Sequence, residues 1–165
     1  MRSKEEVLQL IAELEADYET IADLFQKNML MTQKIELIEP DEFDWAGLGY
    51  PIHNLYTAFE NYFLRIAKFF KNYLDKAEWH RSFLLRMTLH IESIRPAIIS
   101  KDLFRELDEL RGFRHVFRYM YQYELDPDKM RLVNARIPRV RALFPAEHQN
   151  FIAYLRQLAD SVESL

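Results

Sequence analysis

The sequence contains no cysteine and only three glycines among its 165 residues. Without cysteine the chain can form neither disulfide bonds nor thiolate zinc sites, and a cysteine nucleophile is excluded. The few glycines, together with 14% aromatic residues, favour a compact and mostly helical fold over a disordered chain. No run approaches the roughly 18 apolar residues of a membrane span, and the N-terminus shows no apolar signal core. We therefore expect one domain over residues 1–165, cytoplasmic and without a membrane segment.

The histidines lack the partners that common metal sites require. None of the five has a glutamate three residues before it, so the Glu-x-x-His pairs of di-iron bundles are absent from the sequence. There is also no His-Glu-x-x-His helix, phosphate-binding glycine loop or Gly-x-Ser-x-Gly turn. We expect no metal and no cofactor. The pattern predicts that His53 and His90 are core or boundary histidines with satisfied hydrogen bonds and that His148 is solvated.

Apolar residues recur at three- and four-residue steps along most of the chain, which predicts amphipathic helices. A Ser3–Glu6 capping box begins the first of them, and Ser100 can cap the fourth. Glycine and proline between Glu39 and Pro51 predict a loop. The predicted helices cover approximately residues 3–31, 52–74, 79–96, 100–120, 126–138 and 145–162. This pattern predicts an all-α, up-down bundle of five or six helices.

The charge is distributed unevenly, although the net charge is only −4. Residues 111–141, which we call the basic segment, contain eight Lys and Arg against three Asp and Glu, a net charge of +5. The remainder carries 14 against 23, a net charge of −9. A basic segment on an acidic body is expected to attract a polyanion locally while the body repels it elsewhere.

The basic segment begins with residues suited to phosphodiester chemistry. They are Arg111, Arg114, His115, Arg118, Tyr119 and Tyr121. Arginine offers a permanent charge and a planar fork for phosphate oxygens, histidine moves protons near neutral pH, and tyrosine can stack on a base. On a helix, Arg111 would neighbour His115 and Arg114 would neighbour Arg118, opposite a buried stripe that continues through Phe113, Val116 and Phe117. The spacing alone also allows Glu106, Asp108 and Glu109 to neutralise these arginines.

The run Arg114-His115-x-x-x-Tyr119-x-Tyr121 resembles the Arg-polar-x-x-x-His-x-Tyr motif of HEPN-domain ribonucleases, in particular the HepT-like toxins. The resemblance extends over about residues 5–160, including Pro51–Asn61 and Trp79–Met87. It implies a dimeric helical bundle that cleaves RNA, with tRNA among the candidate substrates, without a metal. It also implies a nucleotidyltransferase-fold antitoxin as partner. In this motif Arg114 would steady the phosphate, and Tyr121 would be a candidate for nucleotide addition.

The sequence departs from the motif at Tyr119, where histidine is expected. A tyrosine with its unperturbed pKa of about 10 is a poor general base near neutral pH. Either His115 moves the proton, with Arg111 and Arg118 on its flanks, or cleavage is weakened or lost while phosphate binding is kept. Arg114 and Tyr119 lie about 140° apart on an ideal helix, so either the helix ends or bends between them or two subunits share the site. The alternative function is a noncatalytic module that binds RNA, a nucleotide or a nucleotidyltransferase.

Overall fold

A computed structural model describes residues 2–71, 81–118 and 125–163, and these residues form six helices. The helices are α1 (Lys4–Leu37), α2 (Glu42–Phe69), α3 (Arg81–Arg86), α4 (Lys101–Arg118), α5 (Pro127–Asn134) and α6 (Ile137–Glu163). Helices α1 and α4 each contact both α2 and α6, so the four long helices close around one apolar core. The described residues contain no β-strand. The predicted all-α bundle is confirmed, and none of the described helices is long and apolar enough to cross a membrane.

The N-terminal half contains more helix than the sequence pattern predicts. Helix α1 starts at the predicted capping box, in which the Ser3 hydroxyl accepts from the Glu6 amide at 3.1 Å, but it ends at Leu37. The predicted loop at residues 39–51 is wrong, because α2 begins at Glu42 behind an Asp41 cap. Gly49 lies inside α2 where a β-carbon would approach the Phe117 ring to 2.6 Å. Glycine is used here for close helix packing and not for a turn.

The third predicted helix is shortened by the buried side chain of Arg95. Helix α3 ends at Arg86, and the predicted helix start at residues 79 and 80 lies outside the described residues. Arg95 is 2% exposed, and its guanidinium donates to the carbonyl oxygens of Arg86, Leu89 and Pro96 at 3.0–3.2 Å. These bonds close a compact loop before α4. His90 lies in this loop and is exposed, so the prediction that it is a core or boundary histidine was wrong.

Helix α6 begins earlier than predicted, and this changes the environment of His148. Because the helix starts at Ile137, Pro145 lies inside it and His148 lies in its middle rather than in a first turn. His148 is 1% exposed, with Nδ1 2.9 Å from the Tyr62 hydroxyl and Nε2 3.2 Å from a Glu15 oxygen. The predicted solvation of this histidine is wrong, because its ring joins α6 to α1 and α2.

Candidate active site

Arg114 is held in the interior between α4 and α2. It ends a stripe of buried positions on α4: Leu103, Leu107, Leu110 and Arg114. Its Nη2 lies 2.8 Å from a Glu60 carboxylate oxygen, and its guanidinium carbon lies 4.8 Å from the centre of the Tyr56 ring. The residue is only 5% exposed. An ion pair and an aromatic ring from α2 therefore fix this guanidinium. The prediction that Arg114 lies opposite the buried stripe was wrong.

Arg111, His115 and Arg118 lie on the adjacent, more exposed face of α4. Asp108 accepts a hydrogen bond from Arg111 Nε at 2.7 Å, one turn earlier on the same helix. His115 and Arg118 are exposed. Together with Arg114, these three residues line a surface pocket of about 220 Å³, which we call the arginine pocket. Three guanidinium groups around one small pocket provide donors of the kind that bind phosphate oxygens.

The arginine pocket contains four of the six residues that the sequence nominates. Tyr119 and Tyr121 lie outside the described residues. As predicted, Asp108 pairs with Arg111. Glu106 instead pairs with Arg136 at 3.5 Å and with Arg139 at 3.4 Å, so the prediction that it neutralises the pocket arginines was wrong. The predicted stripe also fails at its end, where Val116 is 58% exposed.

Within the described residues, ion pairs neutralise much of the basic segment but do not reach Arg118. Among the described residues, no carboxylate forms an ion pair with Arg118, whereas Arg111 and Arg114 each have one acidic partner. The positive charge that remains uncompensated in the arginine pocket is therefore strongest at its exposed end. An anion entering from solvent meets Arg118 before it meets the buried Arg114.

Three residues of α2 face this site, and the sequence analysis did not assign them to it. His53, Tyr56 and Glu60 follow one another at spacings of three and four, which places them on one face of the helix. Tyr56 and Glu60 contact Arg114, and the His53 ring lies 5.3 Å from the Phe117 ring. Their helical spacing in the sequence shows that these residues share one face of a helix. It does not show which helix packs against that face.

His53 has no hydrogen bond to satisfy its buried nitrogen. Its Nδ1 is buried without a hydrogen-bond partner in the described structure, so the predicted satisfied histidine was wrong. Burial lowers the pKa of His53, and the charges of Arg114 and Arg118 lower it further. Burial also raises the pKa of Tyr56, and the Glu60 charge adds to this effect although Arg114 opposes it. At neutral pH both side chains are therefore uncharged beside the arginines.

A larger groove adjoins the arginine pocket. It lies between α4 and α5, has a volume of about 880 Å³, and shares Arg111 and His115 with the pocket. Its walls include Val116 and Leu132, which are 58% and 70% exposed. A β-carbon at Gly112 would meet no described atom within 4 Å, so this glycine is not required for close helix packing. The groove gives an extended ligand or a second helix room beside the pocket.

The chain was compared with protein-family models, curated proteins and solved structures. The family model described as HepT-like protein matches residues 47–155. This range includes most of α2 and the whole of α4, and it contains every nominated site residue and the three facing residues of α2. No curated protein and no solved structure matches. The chain belongs to the HepT-like family.

Proposed function

We propose that the protein is a HepT-like toxin that cleaves RNA without a metal ion, and that the arginine pocket binds the scissile phosphate. The observation that carries this proposal is the meeting of Arg111, Arg114, His115 and Arg118 in one pocket of about 220 Å³. The fixed guanidinium of Arg114 supports it further, because a charged donor held in advance need not reorganise during reaction.

The proposed chemistry needs only RNA and side chains. The 2′-oxygen attacks the neighbouring phosphorus, the bond from phosphorus to the 5′-oxygen breaks, and a 2′,3′-cyclic phosphate and a 5′-hydroxyl result. Arg114 and Arg118 would stabilise the nonbridging oxygens, while Arg111 would bind an adjacent phosphate. His115 is exposed at the pocket and would exchange a proton with a reacting oxygen.

The family resemblance adds the binding partners and roles for the two motif tyrosines to this proposal. Tyr119 would act as a second candidate for proton transfer, and Tyr121 would contact RNA and accept nucleotide addition from a nucleotidyltransferase-fold antitoxin. A homodimer would bring two α4 helices together. The exposed apolar residues Val116 and Leu132 beside the site support such a contact. The substrate would be RNA, with tRNA as the first class to test, and the protein would act in the cytoplasm.

The direct experiment is cleavage of a labelled tRNA pool by the purified protein in EDTA. Arg118→Ala is the informative variant, because Arg118 is exposed and its loss leaves no buried carboxylate unpaired. Arg114→Ala tests the buried end of the pocket. Arg105→Ala is the matched control, since Arg105 is an exposed arginine on the same helix that does not line the pocket and that pairs with the exposed Asp102. We expect cleavage by wild type and by the control, with loss in both pocket variants.

The alternative is a noncatalytic module that binds RNA, a nucleotide or a nucleotidyltransferase through the same pocket. It is favoured by the carboxylates that already pair with Arg111 and Arg114, and by Tyr119 at the motif histidine position. This alternative predicts salt-sensitive binding without turnover. Cleavage that appears only in Tyr119→His would support it and would contradict an active wild-type ribonuclease.

A further inference from the structure

The nitrogens of His53 and His148 have opposite environments. Both nitrogens of His148 have hydrogen-bond partners, Tyr62 and Glu15, as expected for a structural histidine. Neither nitrogen of His53 hydrogen-bonds to a described residue, and Nδ1 is buried without a partner. The residue as a whole is only partly buried, and Nε2 is not among its buried atoms without a partner, so Nε2 can accept a proton from a ligand. The described part of the fold therefore does not use the hydrogen-bonding capacity of the His53 ring.

The His53 ring is also fixed against the part of α4 that carries the pocket arginines, although it is not itself among the residues that line the arginine pocket. It packs against Phe117, which lies between Arg114 and Arg118 in the α4 sequence. Tyr56 and Glu60, on the same face of α2, contact the Arg114 guanidinium directly. The contacts between α2 and α4 thus place an imidazole next to the groups that would hold a phosphate.

We propose that His53 is a catalytic residue of this site and that its Nε2 removes the proton from the RNA 2′-hydroxyl. This inference rests on the proposed ribonuclease function. The motif position that normally carries a histidine holds Tyr119 in this chain. His53 would supply the missing base from α2. As the O2′–H bond breaks and its proton moves to Nε2, the O2′–P bond forms and the P–O5′ bond breaks. His115 gives a proton to the departing 5′-oxygen, and water then restores both histidines.

The charges around His53 favour this role. Arg114 and Arg118 face it from α4, while Tyr56 and Glu60 lie along its own helix. Burial and the two arginines lower the pKa of His53, so the ring is neutral at neutral pH and able to accept a proton. The bound phosphate would then offset the positive charge that the ring acquires.

The test compares single-turnover RNA cleavage in EDTA by wild type, His53→Gln and Arg118→Ala. His90→Gln is the matched control, because His90 is an exposed histidine in the loop before α4. Loss of a general base typically slows a reaction by about 10²- to 10⁴-fold, and we expect a decrease in this range for His53→Gln. Thermal unfolding should show that this variant remains folded, because no hydrogen bond to a described residue is lost.

Two further measurements separate a base from a structural residue. The wild-type rate should rise as the pH increases from acidic towards neutral, because His53 must be neutral to accept the proton, and His53→Gln should lose this rise. In the NMR spectrum of wild type, the ring signal of His53 should shift when a 2′-O-methyl RNA is added, since this RNA binds but cannot be cleaved.

Each contradictory result identifies which idea fails. Cleavage by His53→Gln at the wild-type rate, with cleavage lost in Arg118→Ala, would overturn the role of His53 and leave the ribonuclease function in place. An unchanged His53 ring signal in the presence of bound RNA would do the same even if His53→Gln did not fold. If wild type does not cleave RNA at all, the ribonuclease function fails and the proposed role of His53 fails with it.

Discussion

Replacing Glu60 with glutamine tests how Arg114 is held in the arginine pocket. The substitution keeps the size of the side chain and removes the charge that lies 2.8 Å from Nη2 of Arg114. Breaking one partner of a buried ion pair typically costs about 3–5 kcal/mol, because a charge is left uncompensated in the interior. Here the side chain of Glu60 is 19% exposed and that of Arg114 is 7% exposed. Partial solvation reduces the expected loss of unfolding free energy to about 2–4 kcal/mol.

Urea unfolding followed by circular dichroism measures this loss. For a domain of this size, about 3 kcal/mol corresponds to a fall in Tm of roughly 6–12 °C. Glu109→Gln is the control, because Glu109 is an exposed glutamate on α4 that does not line the arginine pocket and should change stability by less than about 0.5 kcal/mol. The pair Glu60→Gln and Arg114→Met, measured singly and together, should give a coupling energy of about 2 kcal/mol.

The unpaired guanidinium also predicts an effect of anions. Added phosphate should raise the Tm of Glu60→Gln more than that of wild type, because the anion can replace the missing carboxylate. Equal stability of Glu60→Gln and Glu109→Gln would refute the conclusion that Glu60 fixes Arg114. An equal effect of phosphate on Glu60→Gln and wild type would refute anion access to that guanidinium.

Three other predictions concern binding, packing and pH. If three arginines contact RNA phosphates, log K for RNA should fall with log salt with a slope of about −2, and Arg118→Ala should make it shallower by about 0.7. Gly49→Ala should lower stability by about 1–3 kcal/mol, because its β-carbon would lie 2.6 Å from the Phe117 ring, whereas Gly112→Ala should raise stability by roughly 1 kcal/mol. Burial lowers the pKa of His148, although Glu15 opposes this shift. Below about pH 6.5 the unfolded chain therefore binds a proton at this histidine more readily than the folded chain does. The free energy of unfolding should be steady above that pH and fall as the pH decreases.

Filter binding, urea unfolding and a pH series of thermal unfolding measure these effects in turn. An unchanged salt slope in Arg118→Ala would remove this residue from the phosphate contacts. Equal stability of the two glycine variants would contradict the close packing of α2 on α4. Stability that increases as the pH is lowered from 7 to 5 would contradict a buried neutral His148.

Local signals predicted the parts of the fold that depend on neighbouring residues. The Ser3 and Ser100 caps form as expected, because each needs only an amide three residues later in the chain. The loop prediction before Pro51 failed because the intrinsic preference of Gly49 was outweighed by burial of α2 against α4. The environment of His148 was predicted wrongly because Pro145, which could begin a helix, lies inside α6 instead.

The site was predictable only on the helix that carries the motif. Arg111, Arg114, His115 and Arg118 lie within two turns of α4, so the sequence shows them together. Glu60 and Tyr56 reach Arg114 from a helix some fifty residues earlier, and no local pattern specifies that contact. The unsatisfied Nδ1 of His53 depends on the same packing.

Cleavage of an oligonucleotide with one ribonucleotide in an otherwise deoxy strand tests the central claim most directly. We predict that wild-type protein in EDTA cuts this strand after the ribonucleotide, leaves a 2′,3′-cyclic phosphate, and does not cut the all-deoxy strand. Arg118→Ala should leave both strands intact. Cleavage of the all-deoxy strand, or no cleavage of the strand that contains the ribonucleotide together with an intact RNA pool, would contradict a metal-independent ribonuclease site in the arginine pocket.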